Sequence, residues 1–482
     1  MKKKGSITVF LCLFLAVFIG VMQVFFRVVQ LGGGRVQAIA GVQEGLYSVF
    51  AGFDRDLFET YHLFFVDGSY HTEQLNLGEA YHRIKNKVER SCSSKIIKTN
   101  IRGENFWNCY FESGEITAYT LATDQNGSGF KKQAVEYMKD TLGIQGIQFL
   151  LEQAKEKEQW SITEDGEVYL KESQEAQKNY EMEKNQNSTL ENHEEVDVPK
   201  DFVNPLEVIK EIRTKGILSL VLPATVELSE ESVVKKELAS VREKEVGMGI
   251  EKETSNNLLE NLLFQEYLSS HLNCYTDTVE NGGLKYELEY VLAGKTSDIE
   301  NLKEVVTKLL GIREAANMVY LMGDPVRQQE LQRMSLLICM AVGLPALESI
   351  VRLALAATWS FGESLLDVRQ LLLGGNVPFV KTRKTWNLTI EGLSELTEFL
   401  KNDEKIDQDG MSYEGYLKIL LGIQNENQQV NRTIDIVENT MRIVKDRSTF
   451  RMDHCFDYME VNMHMKCNGQ KFSILRDYGY EM

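Results

Sequence analysis

The sequence predicts an α+β protein in which an N-terminal transmembrane helix precedes a mostly helical body with short β-hairpins. Three observations lead to this class: an uncharged apolar run near the N-terminus, apolar residues recurring every three or four positions, and a few alternating segments. With 482 residues, a net charge of −18 and 43% hydrophobic residues, the composition is that of a globular protein. The acidic balance argues against a nucleic-acid partner, because binding to phosphates requires a basic surface.

The apolar run extends from Ser6 to Phe26 and contains no charged residue. A helix of this length spans about 31 Å, which matches the hydrocarbon core of a bilayer. Three lysines precede the run, and Arg27 and Arg35 follow it, a bias that favours a cytoplasmic N-terminus and an exported body. We therefore predict a single-pass protein of the cell membrane, with residues 6–26 in the lipid bilayer.

Two processing routes compete with an uncleaved anchor. A cleaved signal peptide has a shorter apolar region with a small-x-small site close behind it, whereas Ala38-Ile39-Ala40 lies well past the run. Lys4-Gly5-Ser6 resembles a prepilin signal, which is cut after the glycine, but Phe10 stands where pilins usually carry a glutamate. The length of the run favours the uncleaved anchor, and cleavage after Gly5 stays an open alternative.

Composition divides the chain into four parts. Residues 1–34 form the anchor, in which Gly32-Gly33-Gly34 should break or kink the helix. Residues 35–151 are expected to hold a membrane-proximal helix and a small α/β subdomain. Residues 152–203 are predicted to be a disordered acidic insertion, since the first 49 of them contain 14 acidic and 6 basic residues. Residues 204–482 are expected to form a helix-rich α+β body.

Local patterns predict the individual elements of the exported part. Helices are expected over residues 35–65, from about Phe130 to Met138 with another following through Leu151, from Ser297 through Leu310, and near 412–423 and 429–445. Strands are expected as a hairpin over 104–123 that turns at Ser113-Gly114, as a strand from Leu284 to Leu292, and as a hairpin about Asn468-Gly469. Residues 230–257 are expected to be helical with a flexible end.

The apolar region from Leu336 to Leu373 is the strongest competitor for a second membrane span. It contains Glu348 and Arg352, and a charge at the centre of a span costs roughly 2.5–3.5 kcal/mol on insertion scales. These two side chains fit better as an i,i+4 ion pair on helices packed inside a globular body. Contact between residues 336–373 and the membrane stays an open alternative.

Motifs for nucleotide and calcium binding are incomplete. Ala293-Gly294-Lys295-Thr296 resembles the end of a phosphate-binding loop, but Glu289 occupies the position of its first glycine. Asp407-x-Asp409-Gly410 resembles a calcium loop, but Lys405 and Tyr416 then occupy the first and last ligand positions. We predict neither a nucleotide nor a calcium site.

Four metal-competent side chains lie near the C-terminal hairpin. In an extended strand His454 and His464 share one face, while Cys455 and Cys467 share the other. Structural zinc sites normally require a C-x2–4-C spacing that this segment lacks. The prediction is that the chain holds no metal and no cofactor.

Glu363 and Asp367 lie one helical turn apart in an apolar context. Because like charges at this spacing repel, we expect a cation such as Lys381 or Arg383 to neutralise them in a structural ion network. A catalytic acid pair is the alternative. The sequence contains no G-x-S-x-G, H-E-x-x-H or Cys/His nucleophile signature that would support catalysis.

Six cysteines follow the anchor, an even number that suits disulfides in an oxidising compartment. Cys92–Cys109 and Cys455–Cys467 are the pairings that close the shortest loops. Buried free thiols are an equal alternative, because Cys339 lies in an apolar helix.

Several short motifs along the chain form a set: Gly5–Phe10, Ser48–Ala51, Asp54–Leu57, Tyr61–Phe64, Asn204-Pro205, Leu218–Pro223, Tyr286–Tyr290, Gly294-Lys295, Ser297-Asp298, Asn301-Leu302, Glu363-Ser364, Asp367–Arg369, Val377-Pro378 and Lys381. Taken together, these motifs resemble those of an uncharacterised family of single-span membrane proteins from clostridial Firmicutes. The resemblance implies an extracytoplasmic protein associated with tight-adherence (Tad) pilus or secretion loci, and it implies no known enzyme activity.

These observations predict a membrane-anchored, extracytoplasmic structural or assembly component of a Tad-like pilus or secretion apparatus, without catalysis. Its expected partners are the lipid bilayer and other pilus or secretion proteins, and neither nucleic acid nor nucleotide is expected. The alternative is a membrane-tethered extracytoplasmic enzyme that uses carboxylates near Glu363 and Asp367.

Overall fold

A computed structural model describes residues 4–92, 107–156, 161–187, 202–249, 257–280, 283–401 and 408–480. The chain divides into two compact units, each built from separated segments. Unit 1 comprises Met1–Tyr137, Lys236–Ser255 and Ile434–Met482. Unit 2 comprises Met138–Lys235 and Asn256–Thr433.

Most of the described residues are helical. The helices are α1 Lys4–Phe50, α2 Arg55–Tyr61, α3 Leu77–Cys92, α4 Asp124–Glu156, α5 Ser161–Asn187, α6 Pro205–Arg213, α7 Ile217–Val221, α8 Leu258–His271, α9 Glu287–Ala293, α10 Asp298–Gly323, α11 Pro325–Val342, α12 Glu348–Leu372, α13 Leu396–Phe399, α14 Tyr413–Ile423 and α15 Glu426–Ile443. The strands are β1 Val66–Asp67, β2 Cys109–Leu121, β3 Cys455–Cys467 and β4 Gln470–Gly479. The predicted α+β class is confirmed.

Unit 1 contains one antiparallel sheet in which β3 pairs with β1, β2 and β4. The predicted hairpin at Asn468-Gly469 is confirmed, because these two residues connect β3 to β4 with φ values of 49° and 83°. Asn-Gly is the favoured pair for a two-residue turn that needs positive φ at both positions. The methionines and valine of β3 that face inward lie in the core of the unit.

The predicted hairpin over 104–123 is wrong within the described residues, since β2 is a single strand paired along β3. Ser113 and Gly114 lie inside this strand, next to an irregularity in register. A Cβ atom on Gly114 would lie 2.4 Å from the Met463 sulfur, so this glycine allows a close cross-strand approach. The residues of alternating polarity on either side of Gly114 therefore belong to one strand and not to two.

The prediction that Gly32-Gly33-Gly34 breaks the first helix is also wrong, because α1 is helical from Lys4 to Phe50. A Cβ atom on Gly33 would lie 2.1 Å from the Trp107 ring. Gly33 and Gly34 therefore make room for a neighbouring side chain, and packing offsets the low helix propensity that suggested a break.

The second half of α1 packs on α3 and on the sheet through small and apolar residues. Its buried stripe recurs at helical spacing and consists of Gly34, Ala38, Gly41, Val42, Gly45, Leu46, Val49 and Phe50. A Cβ atom on Gly45 would lie 3.1 Å from the Ile84 Cα, so the backbones of α1 and α3 approach closely here. The predicted amphipathic pattern over 35–65 is confirmed as far as Phe50.

The substitution Gly45→Leu should destabilise unit 1, because the added side chain meets the backbone of α3, which cannot rotate away. We expect a loss of about 1–3 kcal/mol, as for other overpacked cores. The matched control is Gly20→Leu in the same helix, where a Cβ atom meets nothing within 4 Å. Thermal unfolding of the full chain in mild detergent measures both variants, and equal midpoints would contradict the packing described here.

Unit 2 is helical, with α10 and α12 packed against each other and both packed against α5. The predicted cap of α10 is confirmed, since the Ser297 side chain accepts a hydrogen bond from the Glu300 N–H. The apolar region 336–373 lies in α11 and α12, and the predicted pair of Glu348 and Arg352 is present at 3.7 Å. The helices predicted near 412–423 and 429–445 correspond to α14 and α15.

Three other expectations need correction. Residues 152–203 were predicted to be disordered, but α5 covers Ser161–Asn187 and its Tyr180 is buried. Residues 157–160 and 188–201 of this range lie outside the described part of the chain. Helix was the prediction for 230–257, but the described residues up to 249 are irregular apart from a short 3-10 turn. The boundaries drawn at residues 151 and 204 also differ from the division into units, because β3 pairs with β2 from far along the chain.

The predicted strand from Leu284 to Leu292 is instead the helix α9. Its alternating pattern is misleading because the helix is buried on every side, including Glu287 and Glu289. These carboxylates accept hydrogen bonds from the backbone N–H groups of Asn273 and Tyr275. An acidic residue therefore does not mark a solvent face in this segment.

Candidate functional site

The first half of α1 is an exposed apolar surface. From Ile7 to Val28 every residue is exposed, and an 18-residue window of this helix has a mean hydropathy of 2.7. Within the described part of the chain, this is the one helix long and apolar enough to cross a membrane. The surface begins in the predicted anchor, residues 6–26, and continues into the stripe that packs in unit 1.

Glu363 and Asp367, the predicted acid pair, share a single buried lysine. The Lys381 Nζ lies 2.7 Å from Glu363 Oε1 and 2.6 Å from Asp367 Oδ1, and all three side chains are almost fully buried. The prediction that Lys381 neutralises the pair is confirmed. Arg383, the other candidate, is exposed and instead forms an ion pair with Asp324.

A buried arginine on α10 completes the network around Asp367. Arg313 donates from Nε to Asp367 Oδ2 at 3.0 Å, and its other groups donate to the Phe379 carbonyl, the Tyr416 hydroxyl and the Asn317 side chain. Asn317 in turn donates to the same Asp367 oxygen at 2.9 Å. Two carboxylates therefore face two cations, and the buried charge is balanced.

Burial and ion pairing shift the pKa values of the two carboxyl groups in opposite directions. Burial raises the pKa of Glu363 despite the opposing effect of Lys381 and the hydrogen bond donated by the Asn387 N–H. Burial acts in the same direction on Asp367, but Lys381 and Arg313 together lower the pKa of that carboxyl below its ordinary value. The network joins α10, α12 and the segment after α12, an arrangement that suits a structural role.

The incomplete motifs do not form sites in the described residues. Gly294 ends α9 with a φ of 66° and donates its N–H to the Tyr290 carbonyl, so Gly294-Lys295 belongs to a helix cap. Asp407 lies outside the described residues. His454 and Cys455 are buried, and Cys467 is held in a disulfide. Among the residues that the structure describes, no group of three or more His, Cys, Asp or Glu side chains is placed to hold a metal ion.

Both predicted disulfide pairings are wrong. The bond joins Cys109 to Cys467, which lie directly opposite each other on β2 and β3. Cys92, Cys274, Cys339 and Cys455 are buried free thiols. The shortest-loop rule fails because sheet pairing brings together residues that are 358 positions apart.

A second ion network, in unit 1, was not predicted. Arg242 donates two hydrogen bonds of 2.7 Å to the two oxygens of Glu438 and one of 2.6 Å to Asp453. Arg442 and Arg451 add ion pairs to these same two carboxylates. The network fastens the irregular segment before residue 249 to the C-terminal part of unit 1. Sequence offers little signal for it, because its members are far apart along the chain.

The buried carboxyl of Glu289 in unit 2 predicts a pH dependence of stability. It accepts hydrogen bonds from the Tyr275 N–H at 2.9 Å and the Tyr413 hydroxyl at 2.7 Å. Burial outweighs these bonds and raises the pKa of Glu289 to about 7. The folded protein therefore holds a proton that the unfolded chain releases at lower pH, so the free energy of unfolding should fall as pH rises from about 4.5 to about 7.

Replacing Glu289 by Gln should remove this component, which amounts to about 3 kcal/mol across that range. We expect the variant to be more stable than the wild type at pH 8 and closer to it at pH 5. Urea unfolding at several pH values measures the difference. Parallel profiles for the two proteins would contradict the assignment.

Comparison with models of known protein families identifies a family for this chain. The model of a family of unknown function, DUF5702, matches residues 193–467, which is more than half of the chain. Comparison with curated proteins and with solved structures gives no significant match. The matched residues include unit 2 from α6 onward and the strand β3 of unit 1. The chain therefore belongs to the family of unknown function DUF5702.

Proposed function

We propose that the protein is a single-pass membrane protein whose exported body is a structural or assembly component of a Tad-like pilus or secretion apparatus. The observation that carries the anchoring is the continuity of α1, whose exposed apolar half leads directly into a half that is buried in unit 1. A helix satisfies its own backbone hydrogen bonds, which lipid requires. Such an anchor is rigidly continuous with the folded unit that it holds.

Two further observations support export of the body. The three lysines before the apolar run favour a cytoplasmic N-terminus. The disulfide between Cys109 and Cys467 suits an oxidising compartment, since disulfides are rare in reducing cytoplasm. The assignment to a pilus or secretion apparatus comes from the motifs, and we expect the partners to be other proteins of that apparatus.

The topology can be tested with a C-terminal tag and protease added to intact protoplasts. We expect the tag to be removed, and the protein to stay in the membrane fraction after alkaline extraction. The substitution Ala16→Arg places a charge near the middle of the span and should weaken insertion by roughly 2.5–3.5 kcal/mol. Val28→Arg is the matched control, because an arginine near the end of a span can extend to the interface. A protected tag would contradict the topology.

Partners can be tested by crosslinking intact cells, purifying the tagged chain and identifying the proteins that accompany it. Recovery of pilus or secretion components from wild type, and their loss from Ala16→Arg, supports the proposal. Recovery of the chain alone contradicts the assembly role.

Catalysis by Glu363 and Asp367 is not favoured by their environment. Both groups are buried and ion-paired, and a hydrolytic acid pair must reach its substrate. Under the enzyme hypothesis Glu363→Gln and Asp367→Asn abolish an activity in a folded protein. We expect these variants to affect stability, and a folded variant that retains biological function would exclude that hypothesis.

A further inference from the structure

A cavity of about 330 Å³ lies in unit 2 between α8 and α14, near the start of α15. Its walls are mainly apolar and include Leu262, Phe264, Leu421 and Ile423. The volume falls at the lower end of the range, about 300–1,000 Å³, that is usual for small-molecule sites. The cavity is therefore large enough for a small organic molecule or one large side chain.

One polar side chain in this wall has no hydrogen-bond partner among the described residues. Gln265 is only 8% exposed, yet its carboxamide makes no hydrogen bond with them. Its Oε1 and Nε2 atoms each lie 4.0 Å from the position that a Cβ atom on Gly422 would occupy. Since Gly422 also lines the cavity, the carboxamide is directed along the cavity wall at a residue without a side chain.

The other carboxamides in the lining are those of Asn261, Gln424 and Gln429. Gln429 donates to the Leu421 carbonyl at 2.6 Å. Gln424 donates to the Val291 carbonyl at 2.9 Å, and its Oε1 atom is buried without a partner among the described residues. Polar groups shielded from bulk water are normally hydrogen-bonded, and the Gln265 carboxamide, whose atoms are accessible from the cavity, leaves its hydrogen bonds to whatever occupies the cavity. A donor and an acceptor left together at an apolar cavity are the features expected of a ligand site.

We propose that this cavity binds a small neutral molecule that combines an apolar body with an amide group. An amide presents a donor and an acceptor side by side, which is the complement of the Gln265 carboxamide. The sole charged side chain in the lining is Glu426, so the site offers no cation to an anionic ligand. The proposal is independent of membrane anchoring and of the pilus assignment.

The test uses the full chain in lipid nanodiscs and N-acetylphenylalaninamide as the probe, with binding followed by saturation-transfer NMR. For a probe of this size we expect a dissociation constant in the millimolar range. Gly422→Leu should fill the cavity and weaken binding at least tenfold. Gln265→Leu should keep the volume and weaken binding about fivefold, through loss of the amide contact.

Gly311→Leu is the matched control, because Gly311 lies on α10 with nothing within 4 Å of a Cβ atom and does not line the cavity. It should bind the probe as the wild type does. Because the probe partitions into the nanodisc lipid equally in all samples, a signal lost in Gly422→Leu but kept in Gly311→Leu comes from the cavity and not from the lipid. N-acetylphenylalanine, the anionic analogue, should bind at least tenfold more weakly than the amide.

The proposal is overturned if wild type and Gly422→Leu give the same signal, or if the wild type gives none at the solubility limit of the probe. Unchanged binding by Gln265→Leu, or equal binding of the acid and the amide, overturns the assigned ligand class. Circular dichroism of each variant confirms that the helices remain folded, so a loss of signal cannot come from unfolding.

Discussion

Replacing Lys381 by Met is expected to destabilise unit 2 by about 3–5 kcal/mol, the largest loss that we predict for a single substitution. Lys381 is the cation shared by Glu363 and Asp367, and it lies within 2.7 Å of both. Methionine fills a similar volume but leaves two carboxylates facing one remaining cation, Arg313. Removing one partner of a buried pair is costly because the other charge stays desolvated.

Urea unfolding of the full chain in mild detergent measures this loss, and Lys401→Met is the matched control. Lys401 forms an ion pair of 2.6 Å with Glu398, but both side chains are largely exposed. Exposed pairs contribute about 0–1 kcal/mol, so the control should change little. Similar losses for the two variants would contradict the role of burial.

A second variant tests the charge balance directly. Adding Glu363→Gln to Lys381→Met leaves Asp367 paired with Arg313 and restores neutrality, so we expect much of the lost stability to return. The deficit of Lys381→Met alone should also shrink as pH falls, because burial raises the pKa of Glu363 and its protonated form needs no cation. A deficit that is independent of pH would point to packing and not to charge.

Loss of the disulfide between Cys109 and Cys467 is expected to destabilise unit 1 by about 2–5 kcal/mol. The bond closes a loop with a sequence separation of 358 residues, and long loops gain the most from closure. The Cys467 sulfur also packs against α1, since a Cβ atom on Gly34 would lie 3.1 Å from the Cys467 Sγ. The double variant Cys109→Ala/Cys467→Ala should therefore unfold at a lower temperature than the wild type.

Reduction of the disulfide with dithiothreitol tests the same prediction without a substitution. It should lower the unfolding midpoint of the wild type to that of the double variant and leave the double variant unchanged. Cys455→Ala removes a buried free thiol from the same strand and should remain sensitive to the reductant. A wild-type midpoint that does not respond to reduction would contradict the assigned bond.

The sequence predicted those elements whose signals are local. The Ser297 cap and the Asn468-Gly469 turn depend on neighbouring residues, and both are present in the structure. The predicted break at Gly32-Gly33-Gly34 is wrong because Trp107, which tertiary packing brings close, occupies the space beside Gly33 and Gly34. The Leu284–Leu292 strand failed because burial on every face removes the link between polarity and exposure.

The residues of the candidate site also divide into those with a local signal in the sequence and those recognisable only from tertiary structure. The expectation that a lysine neutralises Glu363 and Asp367 needed only the rule that like charges one turn apart require a counter-ion, and Lys381 fulfils it. Arg313 was missed because nothing in its own segment distinguishes a buried arginine from an exposed one. Gln265 was missed for a related reason, since an unsatisfied carboxamide is recognisable only when its surroundings are known.

The position of β3 in the sequence, after unit 2, determines when unit 1 can be completed during synthesis. The helix α1 and β2 precede unit 2 along the chain, whereas the strand that joins β1, β2 and β4 follows it. The ribosome therefore completes α1 and β2 long before the partner strand exists. During that interval the buried stripe of α1 and one edge of β2 have no β3 to cover them. Unit 1 should therefore stay incomplete until translation passes residue 467, and a chain truncated before residue 455 should be degraded by proteases faster than the full chain.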